Sequence, residues 1–168
     1  WHPWLYLFLI PAITMRLWSE EKKSGTIELL STLPITTFNI VLGKFLAAWA
    51  FTLLSLTLTF PVWLTVNYLG NPDNGVILAS YIGSLLMAGG YLSIGIFISS
   101  LTKNQVIAFI VSVTVCFFFT VSGLPLVLDF FSNWTGEAIT DVVASFSFLA
   151  NFSDISKGII DIRTIIYF

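Results

Sequence analysis

An all-α bundle that crosses a lipid bilayer is the fold the sequence predicts, and three observations carry the prediction. Only 10% of the residues are charged and 57% are hydrophobic, with a mean hydropathy of +0.93, whereas soluble domains carry roughly 25% charged residues. Three runs, Phe45–Val66, Val76–Leu101 and Val106–Leu128, hold no charged side chain. Each is long enough for the ~20 residues a helical span needs. The charges are gathered into the breaks between such runs, with six of the sixteen lying between Arg16 and Pro34. The whole chain therefore reads as one transmembrane domain. Its expected spans are about 1–18, 38–66, 76–101, 106–128 and the start of another at 164, with a polar segment at 19–34 and an outer interfacial segment at 129–163.

The first span, Trp1 to Met15, starts with Trp1, Trp4 and Tyr6, as an interfacial aromatic belt would. It can extend to Trp18 if Arg16 snorkels, and Pro11 is expected to kink it. His2, beside two Trp, reads as an interfacial side chain.

In the next stretch, RLWSEEKKSGTIELLSTLP, Ser24 and Gly25 interrupt helical propensity, and the Thr26 hydroxyl is placed to cap a new turn. Ile27, Leu30 and Leu33 then recur at helical spacing until Pro34 ends the run. The pattern predicts a short amphipathic helix lying at the interface, apolar side down and polar side offered to a soluble partner. Glu20, Glu21, Lys22, Lys23 and Glu28 are its charged contacts, Gly25 and Thr26 its close approach, and Ile27, Leu30 and Leu33 its anchors in the membrane face.

Thr36 or Thr37 begins the second span. Thr52, Ser55 and Thr59 share one of its faces and suggest helix–helix hydrogen bonding or a wetted translocation path, although such hydroxyls commonly bond back to their own helix. NYLGNPDNG, Asn67 to Gly75, is a loop. The third span is rich in small residues four apart, among them Ala79 with Gly83 and Gly95 with Ser99, so it should be the most tightly packed. Gly89-Gly90 could kink the helix, although a packing role explains the pair better. A short turn around Lys103 leads to the fourth run. From Asp129 onward, charges scattered among Phe, Ile and Val predict amphipathic helices at Asp141–Leu149 and Ile155–Ile162.

Five of the seven Lys and Arg fall between Arg16 and Lys44 or in the Lys103 turn, which orients these segments toward the cytoplasm. Asn133-Trp134-Thr135 and Asn151-Phe152-Ser153 fit the glycosylation triplet, a pattern that also arises by chance.

Several function classes are disfavoured. A net charge of −2 offers no basic surface for nucleic acid. The single Cys116 has no thiol to pair with inside the chain. The absence of charge within the spans argues against an ion-driven carrier, and a channel would need polar rings at that depth. Gly43-Lys44 lacks the surroundings of a phosphate-binding loop, and no catalytic or metal-binding motif is present. No cofactor is expected, and if ATP is spent, another chain spends it.

The run Met15 to Leu30, with Leu33-Pro34-Ile35-Thr36 and Ile40-Val41-Leu42-Gly43-Lys44-Phe45, resembles the cytoplasmic signature of type-2 ABC transporter permeases. It is most similar to the gliding-motility and multicopper-maturation type. Phe152 to Arg163 resembles the segment that these permeases place outside before their last helix, with Asn151 where their pattern has His. The resemblance implies a six-helix permease of which this chain lacks the first helix and most of the sixth. It implies an ATP-driven exporter of the inner (cytoplasmic) membrane, multi-pass and dimeric, with 19–34 as the coupling helix that docks on a cytoplasmic ATP-binding subunit. The expected partners are that subunit, a second permease subunit and membrane lipid. The alternative is a non-transporting scaffold that recruits a cytoplasmic protein through the same helix.

Overall fold

The computed structural model describes residues 2–122, 124, 127–129, 141, 142, 144–157 and 166–168. Among them the chain is helical, with no strand. In order, the helices are α1 (His2–Thr14), α2 (Ser19–Ser24), α3 (Thr26–Thr32), α4 (Thr37–Thr57), α5 (Phe60–Leu69), α6 (Asn74–Leu101), α7 (Gln105–Val121) and, after the residues not described, α8 (Phe148–Ser156). The run Thr37–Leu69 and α6 are long and apolar enough to cross a membrane, and α7 is a shorter apolar helix.

Several elements differ from the sequence expectation for identifiable reasons. The run expected as one helix over 38–66 breaks at Leu58-Thr59. Pro61 has no N–H for the Thr57 carbonyl, and the chain tightens to i−3 bonds, Thr59 N–H to Leu56 (3.0 Å) and Val62 N–H to Thr59 (2.9 Å). The fourth run stops at Val121. Ser122 and Leu124 still bond back to Phe118 and Val121, and Val127 and Leu128 bond to the Leu124 carbonyl (2.9 and 3.0 Å).

By contrast, α6 passes through Gly89-Gly90 without a break, and α1 continues through Pro11, whose carbonyl accepts from Met15 (2.9 Å). The Asp141–Leu149 helix is divided because Ser147, in extended conformation, accepts the Ala150 N–H and starts α8 seven residues before the expected Ile155. The Asn133 triplet, Gly158 and the run from 164 to 165 lie outside the described residues.

The chain divides into two compact units, Trp1–Leu54 with Ala88–Cys116, and Ser55–Met87 with Phe117–Phe168. In the first, α1 and α6 cross closely. A Cβ on Gly95 would lie 2.1 Å from Thr14 Oγ1, so only glycine fits. Thr14 is fully buried and satisfied by the Ile10 carbonyl (3.1 Å). Leu7, Ile10, Tyr91, Leu92, Ala108 and Cys116 complete the core of this unit.

In the second unit, Gly83 plays the equivalent part: a Cβ there would lie 2.7 Å from Ile155 Cγ2 of α8. Tyr81 Oη pairs with Thr59 Oγ1 (2.8 Å), while Trp63 donates to Asn74 Oδ1 (2.8 Å) and stacks on Tyr81 at 5.9 Å. Phe148 packs against Phe119, Tyr167 and Phe168.

Candidate functional site

The polar stretch between α1 and α4, which lies wholly in the first unit, is a helix–break–helix. Six residues of α2 are too few to be stable alone, so its position comes from what holds it. Its N-cap, Trp18, supplies no side-chain acceptor, which would leave the first N–H groups of the helix unsatisfied. Ser99 of α6 fills that role. Its fully buried hydroxyl accepts from Trp18 N–H (3.1 Å) and Ser19 N–H (3.2 Å) and donates to the Met15 carbonyl (3.2 Å). One side chain thus joins the end of α1 to the start of α2.

Lys22 does the converse. Its ammonium donates to the Ser100 carbonyl, one of the last acceptors of α6, where a cation also suits the helix dipole. Lys44 of α4 provides the third tie: its Nζ lies 2.5 Å from Glu21 Oε1, donates to the Leu17 carbonyl (2.5 Å) and sits 4.2 Å from the centroid of the Trp18 ring. Both partners of this ion pair are shielded, at 16% and 29% side-chain exposure, so it is stronger than a solvated surface pair. Glu21 Oε2 is buried with no partner among the described residues.

Gly25 then ends α2 and starts α3 in the left-handed region, at φ 75 and ψ 3, a conformation that costs other residues roughly 1–2 kcal/mol. The interruption falls at Gly25 as expected, and the charged lead-in to the amphipathic helix is itself a helix, α2. The Thr26 hydroxyl does not cap α3, whose N-cap is Gly25 without a side-chain bond. It pairs instead with Ser24 Oγ (3.0 Å) and donates to the Glu21 carbonyl (3.4 Å), closing the end of α2. Glu28 in the first turn of α3 suits the positive end of that helix.

These ties sort the predicted residues into two groups. Glu21 and Lys22 are half-buried and engaged with α4 and α6, whereas Glu20, Lys23, Gly25, Thr26 and Glu28 are exposed. Of the predicted anchors, Ile27 and Leu30 are half-buried and Leu33 is exposed, as is Leu29 at 67%.

Thr52 is buried and donates to the Ala48 carbonyl (2.9 Å), and Thr59 donates to Leu56 (2.6 Å) at the helix break. The sequence marks Ser99 as a packing residue and Lys44 as an orientation signal and part of the family signature. For Ser99 no local pattern could mark it, because its partners are about eighty residues away.

Against this geometry, the family model of the ABC-2 family transporter protein matches residues 5–162, nearly the whole chain. The chain belongs to the ABC-2 transporter family. It is an ABC permease and an all-α membrane protein, of a family that works in general with an ATP-binding subunit. No curated protein and no solved structure gives a match. In this permease the first run of the family resemblance, Met15 to Leu30, is also the one tied to two other helices through Ser99, Lys22 and Lys44.

Proposed function

We propose that this permease is the membrane-spanning subunit of an ATP-driven exporter and that α2–Gly25–α3 is its coupling element, facing the cytoplasm of a multi-pass inner-membrane protein. The observation that carries the reading is the three-way fastening of α2. A push on a segment tethered only by loops would be absorbed by the loops. Here, Ser99 and Lys22 connect α2 to α6, and Lys44 connects it to α4. Displacement of α2 by a closing ATP-binding subunit would then be transmitted to two membrane helices together.

Glu20, Lys23 and Glu28 are the charged groups left to meet that subunit, with Gly25 and Thr26 allowing close approach. Glu21 and Lys22 act from behind, as positioning residues. Ile27, Leu30 and Leu33 seat α3 against apolar surroundings. The permease supplies lever and path and leaves hydrolysis to its partner. A second permease subunit would complete the transporter. The face of Thr52, Ser55 and Thr59 is the candidate path.

The test uses full-length permease reconstituted with its ATP-binding subunit. Glu20→Lys with Glu28→Lys reverses two exposed charges without touching the ties to α4 and α6. ATP turnover stimulated by the permease should fall by about tenfold, the equivalent of ~1.4 kcal/mol, while the thermal unfolding of the permease stays unchanged. Full assembly and full turnover in that variant would reject the coupling assignment and favour a scaffold that recruits some other protein.

A further inference from the structure

A cavity of about 400 Å³ lies in the first unit between α2 and the turn that joins α6 to α7. Lys23 lines it from α2, and Lys103, Asn104, Gln105 and Val106 line it from the turn and the start of α7. Its lining holds two cations and no carboxylate. Both lysines are exposed, and among the described residues neither is in an ion pair. The charges next to Lys23 are already engaged, Lys22 by the Ser100 carbonyl and Glu21 by Lys44.

The turn has a defined internal structure. Asn104 N–H donates to Thr102 Oγ1 (3.1 Å), Asn104 Oδ1 accepts from Val106 N–H (3.0 Å), and the Asn104 carbonyl accepts from Ala108 N–H (3.0 Å). Asn104 thus caps α7, and the two ammonium groups are what the cavity offers a ligand. Its walls are also joined to each other. Ser99, near the end of α6, accepts from Trp18 and Ser19, and Lys22 of α2 donates to Ser100.

We propose that the α6–α7 turn is a second docking element for the ATP-binding subunit, and that Lys23 and Lys103 together receive a carboxylate-bearing segment of that subunit. Charge complementarity selects the occupant: two cations on one cavity repel each other, and a carboxylate placed between them reverses the sign of the interaction. The apolar groove beside α2, lined by Trp18, Phe38, Leu42 and Phe45, shares no residue with this cavity. No slot for an acyl chain therefore opens beside the lysines, which favours an acidic protein segment over a phospholipid. The inference rests on the coupling reading given above and extends it. A contact at Lys103 would deliver motion of the ATP-binding subunit to α6 and α7 directly, whereas Glu20 and Glu28 deliver it through α2 and α3.

The test uses the full-length permease in nanodiscs of phosphatidylcholine alone, which bring no anionic headgroup, assembled with its ATP-binding subunit. A carbodiimide, which condenses an amine with a carboxylate in contact with it, should join Lys23 or Lys103 to an Asp or Glu of the subunit and leave Lys22 unjoined, as read by mass spectrometry. Lys23→Glu with Lys103→Glu should weaken association by about tenfold and flatten its salt dependence. Lys23→Arg with Lys103→Arg should keep the affinity and remove those cross-links. Absence of the cross-links in the native complex would overturn the proposal, as would unchanged affinity in the Glu variant. A loss of affinity that appears only when phosphatidylglycerol is added to the nanodiscs would assign the cavity to a lipid headgroup and overturn it equally. If Glu20→Lys with Glu28→Lys lowers ATP turnover while the lysine reversals change nothing, the coupling element stands and this second element falls; if neither pair has an effect, both fall.

Discussion

The run Thr37–Leu69 and helix α6 are equally suited to a bilayer and differently used. Their hydropathies are 1.8 and 1.7, but 17% of the most apolar window of the first is buried inside the protein against 61% for the second. Side-chain size makes the difference. Helix α6 presents Ala79, Gly83, Ser84, Ala88, Gly95 and Ser99, all buried, and through them accepts Ile155, Thr14 and the start of α2 at close range. The other run turns Leu46, Phe51, Leu53, Leu58, Val62 and Leu64 outward, where lipid is as apolar as they are. Between helices in a membrane there is little hydrophobic drive, so association depends on close packing and hydrogen bonds. Hydropathy states that a helix is compatible with the membrane, and small residues state which helix takes its neighbours at close range.

The sharpest way to break this comparison is to enlarge a small residue on each helix. Gly95→Val places a side chain where even Cβ would be 2.1 Å from Thr14 Oγ1, and the overpacking should cost about 3 kcal/mol. Gly43→Ala in α4 meets nothing within 4 Å and should stabilise by up to ~1 kcal/mol through helix propensity. Thermal unfolding of the two purified variants decides the matter, and equal shifts would mean that α6 is not the packing centre.

A smaller effect is expected from the hydroxyls. Ser99→Ala leaves two N–H groups and the Met15 carbonyl without their shared partner, a loss of about 1–3 kcal/mol. Thr52→Val removes only a bond to its own helix, of the order of ~0.6 kcal/mol. Protease accessibility of the Lys22-Lys23 bond should rise in the first variant and stay constant in the second; comparable cleavage would show that Ser99 does not hold α2.

The least effect belongs to the outward face. Leu64, 58% exposed, should change stability by no more than about 0.5 kcal/mol when replaced by Ala, and a large loss would reveal a partner covering α5.

Much of the fold is legible in the sequence. The charge-free runs mark the long helices, the four-residue spacing of small side chains marks α6 as the packed one, and Gly25 and Pro34 mark interruptions in the polar stretch. What escaped was the local consequence of a few residues. Pro61 lies inside a predicted span that it divides, and Ser147 caps α8 ahead of its predicted start. The site was legible as a region and not residue by residue. Near 100° per residue, Glu20 and Lys23 share one side of α2 while Glu21 and Lys22 point elsewhere, a grouping available from spacing alone. Nothing in the sequence says which group turns inward.

The sequence by itself determined that this is a helical membrane protein and where its addressable charge lies, because hydropathy and helix breaking are properties of neighbouring residues. Only the tertiary structure decided which charges remain addressable. Lys44 takes Glu21, the Ser100 carbonyl takes Lys22, and Ser99 supplies the acceptor that the N-terminus of α2 lacks. Each of those partners is distant in sequence, and the pairing exists only because α4 and α6 are packed beside α2.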